Sequence, residues 1–297
     1  MKFLFVAVFD DEGISSNSSQ AVGLEKLGHQ VIRYNYRVRA NRIGFTNRDL
    51  ELVDICNNEN PDVTIFAKTN TINPQVFIEC KKVSKVCYWF PDPLQTYENQ
   101  EFLQMTHLAD FFCCDKQNVT EAALSINKNS YCVPDGFDPE LEKPRDIAKD
   151  IDVSFIGSLH SDREEKIQKI TKDVTVVTDA FGEKHSKIVS RSKINLNFCT
   201  TMGASDRTYK VLAAGGFYLT DDWIGRSEKF KDGIDLVIYK DIDDLNQKIE
   251  YYLNNDSERE KIAQSGRLAV EKFSRYAWAQ RIVEISCELY PELEYTK

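Results

Sequence analysis

The sequence predicts an α/β protein built from two Rossmann-like domains, each with a parallel sheet covered by helices. Short apolar runs alternate with amphipathic stretches along the first half, and this alternation restarts after a proline-rich, charged segment at 131–150. The strands read as continuous apolar runs, which is typical of parallel strands buried on both faces. A length of 297 residues is sufficient for two domains of ordinary size.

The first domain is predicted to span residues 1–143. Its strands are KFLFVAVF, VIRYNY, DVTIFA, VCYWF and DFFCCD, with helices near 16–28, 47–59, 74–82 and 98–108. The second domain is predicted to span residues 144–275. Its strands are DVSFIG, DVTVVT, INLNF, GFYLT and DLVIY, with helices at 162–172, 183–192, 206–214, 241–254 and 257–273. The last segment, 276–297, contains an amphipathic helix that we expect to cross back to the first domain.

Composition excludes several classes of protein. The formal net charge of -9 argues against a surface that binds polyanions throughout. Five arginines between Arg33 and Arg48 nevertheless form a local basic run, either a solvated face or a surface for an anionic partner. No apolar run approaches the roughly 18 residues that a membrane span requires. The opening MKFLFVAVF is followed at once by acidic residues, so we expect a first strand and not a leader.

Cysteine and histidine usage predicts neither disulfides nor a metal site. The eight cysteines include no CxxC pair and lie mostly within apolar runs, which indicates buried free thiols in a reducing cytoplasm. The four histidines are scattered without ligand spacing. We therefore expect a cytoplasmic protein without a bound metal.

Loops that follow parallel strands are where ligands bind in such sheets, and two of these loops carry candidate residues in the second domain. After DVSFIG, the backbone of Gly157 and Ser158 can approach a phosphate, and Arg163 can bind its oxygens. After DVTVVT, Thr178 can receive a base or ribose, although an ordinary turn explains it equally well.

The segment SDRTYKVLAAGGFYLT supplies two further junctions. Arg207 and Lys210 lie one turn apart near the start of a helix that Ser205 or Asp206 caps, and two cations at this positive end favour a bound anion over a solvated face. Gly215 and Gly216 follow the same helix. They form a tight turn into the next strand or let the helix lie close to a nucleotide, and both interpretations can hold together.

These motifs, in this order, resemble the CgeB-like spore-maturation glycosyltransferases, which are related to glycosyltransferase group 1. The matching segments of the second half are DVSFIGS, an arginine, SKINLNF, DRTYKVLAAGGFYLTD, KDGIDLVIYKDIDDL and YYLNNDSEREKIAQSGRLAVEKFSRYAWAQR. Those of the first half are VCYWFPDP, ADFFCCDK and YCVPDGFDPE. The resemblance implies the GT-B fold, in which two Rossmann-like domains face a cleft.

The resemblance also implies a function. The second domain would bind a nucleoside diphosphate sugar such as a UDP-sugar, for hexosyl or pentosyl transfer to an acceptor hydroxyl. Cationic side chains, with Arg207 foremost, would stabilise the departing diphosphate without a divalent ion or other cofactor. The residues assigned to the donor site are Gly157, Ser158, Arg163, Thr178, Asp206, Arg207, Tyr209, Lys210, Gly215 and Gly216.

The first domain would bind the acceptor, which is a saccharide, a protein, a small molecule or a hydroxymethylated DNA base. Asp10, Asp11 and Asp92 are candidates to act on its hydroxyl, although Asp10 or Asp11 can equally cap the first helix. The residues assigned to acceptor binding are Gly13, Ser15, Trp89 and Asp92.

One departure from the family pattern concerns ribose recognition. Related enzymes carry a pair of acids, Glu-x7-Glu, whose two positions fall here near Met202 and at Lys210. A catalytically weak protein that binds nucleotide sugars as a scaffold is therefore the alternative function. A dinucleotide-dependent oxidoreductase is disfavoured, because FDDEGISSNSS lacks the GxGxxG glycines after the first strand.

Overall fold

The computed structural model describes residues 1–159, 162–199, 203 and 205–295, and these form two compact units. The first unit consists of Met1–Asp135 together with Arg275–Lys297, and the second is Gly136–Ser274. The division lies within the proline-rich segment 131–150, a few residues before the position taken from the sequence. Each unit is built around one parallel sheet, which confirms the predicted α/β class.

The sheet of the first unit has six parallel strands in the order β2-β1-β3-β4-β5-β6. They are β1 (Lys2–Ala7), β2 (Gln30–Asn35), β3 (Val63–Ala67), β4 (Lys85–Phe90), β5 (Phe111–Cys114) and β6 (Ser130–Cys132). The three central strands β1, β3 and β4 are almost fully buried, because helices cover both faces of the sheet. Five of the eight cysteines are buried within this unit.

Seven helices connect these strands. They are α1 (Ser16–Lys26), α2 (Tyr36–Ile43), α3 (Phe45–Glu59), α4 (Pro74–Cys80), α5 (Leu94–Tyr97), α6 (Gln100–Leu108) and α7 (Gln117–Leu124). The sequence did not predict α2 or α7. Helix α2 begins directly where β2 ends, because the Asn35 side chain accepts a hydrogen bond from Val38 N and so caps the new helix.

The C-terminal helix (Arg275–Leu289) packs on α1 and completes the core of the first unit, as the sequence predicts. Trp278 stacks on Phe5 with ring centroids 6.1 Å apart and meets Trp89 edge-on at 5.4 Å. The approach of the two helices requires a glycine at position 23. A Cβ on Gly23 would lie 2.9 Å from Arg275 O.

The second unit contains a five-stranded parallel sheet in the order β11-β10-β9-β7-β8. Its strands are β7 (Ile151–Ile156), β8 (Thr175–Val177), β9 (Ser192–Asn197), β10 (Tyr218–Thr220) and β11 (Val237–Ile238). Its helices are α8 (Arg163–Gln168), α9 (Gly182–Arg191), α10 (Asp206–Ala213), α11 (Ile242–Asn254) and α12 (Asp256–Val270). Neighbouring residues of one strand, such as Phe155 and Ile156, belong to separate apolar clusters on the two faces of the sheet.

Candidate functional site

The candidate site lies at the carboxyl edge of the second sheet, where β7 and β9 end side by side. The chain leaves β7 through Gly157, whose φ of +145° favours glycine, and Ser158, which is exposed. Helix α10 begins at Asp206, and the Ser205 side chain caps it by accepting a hydrogen bond from Arg207 N. Two strand ends and a helix N-terminus therefore form this edge.

Arg207 is the central cation of the site. Its Nη1 donates a hydrogen bond to Asn197 Oδ1, and its guanidinium carbon lies 4.8 Å from the centroid of the Phe155 ring. Among the described residues, Arg207 forms no ion pair with a carboxylate. Its positive charge is thus held in a fixed place without an anionic partner from this part of the chain.

Asn197 holds Arg207 in this position. The side chain is fully buried, and its Nδ2 donates a hydrogen bond to Thr220 Oγ1 at 3.1 Å, which leaves Oδ1 to accept from Arg207. Tyr239 fixes the same strand end by donating its hydroxyl to Asn197 O at 3.1 Å. The sequence analysis missed Asn197, although a polar residue within the apolar run INLNF was a visible signal.

Arg163 supports the edge in a different way from the one predicted. Its Nη1 and Nη2 donate to Ser158 O at 3.1 Å and Phe198 O at 3.0 Å, which ties the loops after β7 and β9 together. Burial lowers the pKa of Arg163, and the positive charge of Arg207 lowers it further. Two guanidinium groups therefore share this edge, and an anion would relieve their repulsion.

Lys210 lies one turn after Arg207 and is not an isolated cation. Its Nζ donates to Asp206 Oδ2 at 2.6 Å and lies 3.9 Å from Glu142 Oε1. Glu142 is buried, and no sequence pattern indicated it, because it lies in the connector. Two carboxylates thus flank the base at position 210. Acidic groups are therefore present at this position, although the sequence has a lysine there. Met202, the other position of the departure, lies outside the described residues.

A buried histidine flanks these charges. His185 on α9 is only 5% exposed, and its Nδ1 has no hydrogen-bond partner within the described residues. Burial, followed by the charge of Lys210, lowers the pKa of His185 to about 3. The ring is therefore neutral at physiological pH. Neither periodicity nor spacing in the sequence indicated that this histidine is buried close to Lys210.

We expect Gly157→Ala to disturb this site without unfolding the protein. A Cβ at position 157 would overlap Arg207 Nη2, and a φ of +145° is strained for alanine. Displacing the guanidinium should weaken the binding of a diphosphate about tenfold, since charge-assisted hydrogen bonds contribute roughly 1.5–3 kcal/mol. Calorimetric titration with UDP measures this change.

Gly13→Ala is the matched control for the backbone effect, because Gly13 also has a positive φ, of +72°, but no atom lies within 4 Å of the added Cβ. If the two variants bind UDP equally well, the contact between Gly157 and Arg207 does not matter for binding.

The structure corrects three residues assigned to the donor site. Tyr209 is 1% exposed and packs among Phe230 and Phe273, because it lies on the core-facing side of α10. Gly215 and Gly216 lie between the end of α10 and the start of β10, at the amino edge of the sheet. They form the tight turn, since parallel strands and helices in such units run in opposite directions.

Thr178 and Asp206 occupy less enclosed positions. Thr178 is exposed directly after β8, so it lies at the same sheet edge as Gly157. Asp206 is the first residue of α10 and accepts the hydrogen bond from Lys210. Both stay candidates for contact with a ligand.

In the first unit, Asp10 organises the loop after β1. Its carboxylate accepts hydrogen bonds from Ile14 N and Ser15 N, both at 2.8 Å, and from the Ser18 hydroxyl at 3.1 Å. Burial would raise the pKa of Asp10, but these hydrogen bonds and one from the Ser15 side chain outweigh it and lower the pKa well below its usual range. Asp10 is thus a weak base, and its carboxylate holds the loop after β1 in place.

Gly13, Ser15 and Asp11 accompany Asp10 at this loop. Gly13 adopts a φ of +72°, and Ser15 caps α1 by accepting a hydrogen bond from Ser18 N. Asp11 is exposed and lines, with Gly13, Arg33 and Asn35, a cavity of about 440 Å³. Asp11 and its neighbour Glu12 are therefore exposed carboxylates of this loop that solvent and ligands can reach.

Asp92 lies after β4 and forms an ion pair with Lys68, which follows the neighbouring strand β3. Lys68 and Thr71 have positive φ values of 43° and 79°, which non-glycine residues rarely adopt and which concentrate at functional sites. Sequence analysis missed Lys68. Trp89, in contrast, is 1% exposed and packs on Trp278, so its assignment to acceptor binding is wrong.

The basic run between Arg33 and Arg48 is largely neutralised. Arg33 pairs with Glu25, and Arg39 pairs with Glu51. Arg48 is fully buried and donates to Thr71 O. This run is therefore not a continuous cationic surface.

Searches of the described residues add two plain findings. No group of three or more histidine, cysteine, aspartate or glutamate side chains in residues 1–159, 162–199, 203 and 205–295 is placed to hold a metal ion. No helix in the same residues has both the length and the apolarity needed to cross a bilayer.

The architecture of the chain is that of GT-B glycosyltransferases. HepE from Anabaena, in complex with UDP-glucose, matches with a TM-score of 0.72 at 11% identity, over 96% of this chain and 98% of that one. Sucrose-phosphate synthase from Thermosynechococcus elongatus matches with a TM-score of 0.70 at 10% identity, over 98% and 100%. T4 phage BGT, in complex with its UDP-glucose substrate, matches with a TM-score of 0.63 at 13% identity, over 96% and 99%.

At sequence identities this low, the structural similarity establishes the fold alone. It confirms the predicted GT-B architecture. Residues 141–286, which cover most of the second unit and the greater part of the C-terminal helix, match the family model described as "Glycosyl transferase-like". No curated protein sequence matches the chain.

Proposed function

We propose that this protein transfers a glycosyl group from a nucleoside diphosphate sugar to an acceptor hydroxyl. The bond between the anomeric carbon and the diphosphate oxygen breaks, and a bond from that carbon to the acceptor oxygen forms. The acceptor proton leaves to a carboxylate or to the departing diphosphate. The glycosyltransferase-like domain at residues 141–286 and the GT-B fold support this reaction class.

The observation that carries the proposal is the position of Arg207. Its guanidinium is held by Asn197 at the carboxyl edge of the sheet, beside Gly157 and at the N-terminus of α10. A diphosphate placed there gains a charge-assisted hydrogen bond from Arg207 and the favourable end of the helix dipole. Negative charge grows on the leaving diphosphate during transfer, so these groups stabilise the transition state, and we propose that they do so without a divalent ion or other cofactor.

We further propose a UDP-sugar as the donor and CgeB-like membership for the chain. HepE and T4 phage BGT were each determined with UDP-glucose, which supports the choice of nucleotide. Asp206, Glu142 and Lys210 are candidates to replace the missing acid pair at the ribose, because two carboxylates flank the lysine. We propose that the transferred group is a hexosyl or a pentosyl group.

We propose that the first unit binds the acceptor, and that the protein acts in the cytoplasm. Asp11 and Asp92 are the carboxylates that can take the acceptor proton, since Asp10 is committed to its loop. A saccharide, a small molecule or a protein hydroxyl suits an acidic loop better than hydroxymethylated DNA does. The ion pairs of Arg33 and Arg39 also reduce the support for DNA.

The test combines binding with turnover. We expect UDP and at least one UDP-sugar to raise the melting temperature, because a ligand that binds only the folded state stabilises it by mass action. The same UDP-sugar should be hydrolysed slowly without acceptor and faster with one. Both measurements should be made with and without EDTA, and a strict requirement for a divalent ion would contradict the metal-independent mechanism.

Two outcomes would overturn the proposal in different ways. Binding of UDP-sugars without hydrolysis or transfer to any acceptor would favour the scaffold function, which the basic residue Lys210 motivates. Failure of every nucleoside diphosphate and nucleotide sugar to shift the melting temperature would reject the donor site itself.

A further inference from the structure

A second cavity of about 310 Å³ lies at the opposite edge of the same sheet. It is lined by the chain before β7, the start of β9, the turn before β10 and the middle of α12. The residues that line it are Lys149, Lys193, Gly215, Phe217, Arg259, Glu260, Ala263, Gln264 and Arg267. This amino-edge cavity shares no residue with the carboxyl edge where Arg207 lies.

Four cations and one carboxylate line the amino-edge cavity. Three of the cations have acidic partners outside the lining: Lys193 pairs with Asp152, Arg259 with Asp256, and Arg267 with Glu271. Lys149 differs from them. Its Nζ donates to Ser192 O at 3.2 Å, and within the described residues it forms no ion pair.

The positive charge of Lys149 therefore has no carboxylate in contact with it among the described residues. Burial of its amino group lowers the pKa of Lys149, and although Glu260 raises it, Arg259 lowers it further. Lys172, an exposed lysine of the same unit that pairs with Glu250, has a raised pKa instead. An anion in the cavity would supply the charge that Lys149 lacks.

Arg259 provides a second, independent indication. The residue is 2% exposed, and its Nη1 donates to Tyr252 O at 2.6 Å and Asp256 Oδ1 at 2.8 Å. Its Nε is shielded from solvent and has no hydrogen-bond partner among the described residues. A buried N–H without an acceptor is costly, and such groups in native proteins call for an explanation.

We propose that the amino-edge cavity binds a tetrahedral oxyanion, namely a phosphate group, with Lys149 and Arg259 as its principal contacts. Lys149 and Arg259 line the same cavity, and guanidinium and ammonium groups are the usual protein ligands of phosphate. The cavity is larger than inorganic phosphate, and Phe217 and Ala263 offer an apolar wall to the body of a phosphate monoester. This site does not depend on the proposed glycosyl transfer.

The experiment measures the acetylation rate of individual lysines by mass spectrometry in the full-length protein. Inorganic phosphate and glycerol phosphate are added separately, with sodium chloride at matched ionic strength as the blank. We expect at least one of the two phosphates to slow acetylation of Lys149 and to leave Lys172 unchanged. Stronger protection by glycerol phosphate identifies a monoester as the ligand, and protection by inorganic phosphate alone identifies the free ion.

Calorimetric titration with the protective phosphate then tests the contacts. Lys149→Gln should lower its affinity about tenfold, as expected for the loss of a charge-assisted hydrogen bond, whereas Lys172→Gln should not. Arg207→Ala should leave the protection of Lys149 intact, which separates this site from the donor site. Equal protection by sodium chloride, no protection by either phosphate, or unchanged affinity in Lys149→Gln would overturn the proposal. Lys149 lies outside every helix and strand and contributes nothing to the apolar clusters, so its replacement should not affect folding.

Discussion

Arg207→Ala should lower the rate of glycosyl transfer about 100- to 1,000-fold, which is the usual cost of removing one preorganised donor to a developing negative charge. Arg207 suits this task because Asn197 fixes its guanidinium and no described carboxylate neutralises it. The effect should appear mainly in kcat, since charge on the diphosphate grows as the glycosidic bond breaks. Steady-state kinetics with the UDP-sugar identified by the melting screen measures it.

Two variants make this result specific. Arg191→Ala removes an exposed arginine of the same unit that pairs with Asp150, and it should leave turnover unchanged. Asn197→Ala should reproduce part of the loss, because the guanidinium would keep its charge but lose its fixed position. If Arg207→Ala turns over as fast as the unmodified protein, the diphosphate is not stabilised here.

Acid should destabilise the protein through His185. The pKa of His185 in the folded protein, about 3, lies below the ordinary value of 6.5. Between these two pH values the unfolded chain binds a proton at His185 that the folded protein does not bind. Stability from this group is complete above pH 6.5 and is lost progressively as the pH falls towards 3. Between pH 7 and pH 5 the loss should be about 2 kcal/mol.

Urea denaturation at both pH values measures this contribution. His185→Phe keeps a buried ring and removes the proton acceptor, so its free energy of unfolding should fall less between pH 7 and pH 5 than that of the unmodified protein. His107→Phe is the matched control, because His107 is exposed. Equal pH dependence of the His185 variant and the unmodified protein would show that His185 does not titrate in the buried state.

The sequence was sufficient for most of the fold because burial on both faces leaves a clear pattern. Apolar runs such as FLFVA and VCYWF could be nothing but buried strands in this context. Helix α2 escaped detection because its residues, YRVRANRI, are dominated by arginine and follow β2 without a break. The cap that starts α2 is a side-chain hydrogen bond of Asn35, which no hydrophobic periodicity reveals.

Candidate site residues were predictable only where they lie in the loop or at the helix start that follows a strand. Gly157 and Arg207 could be proposed from the sequence because Gly157 directly follows β7 and Arg207 lies in the first turn of the helix after β9, where the strand pattern locates the junctions. Gly215 and Gly216 were assigned by motif, and the motif extends along a helix to the opposite edge of the sheet. Glu142 and His185 reach the site from the connector and from α9, and such long-range placements leave no local signal.

The packing of the C-terminal helix on α1 has a consequence for biosynthesis. The second unit is a continuous stretch of chain, so it can fold as soon as residue 274 has left the ribosome. The first unit begins earlier but finishes later, because Trp278 must arrive to cover Phe5 and Trp89. Until then a nascent chain carries an uncovered apolar face on the first sheet, and surfaces of this kind are prone to aggregate during synthesis.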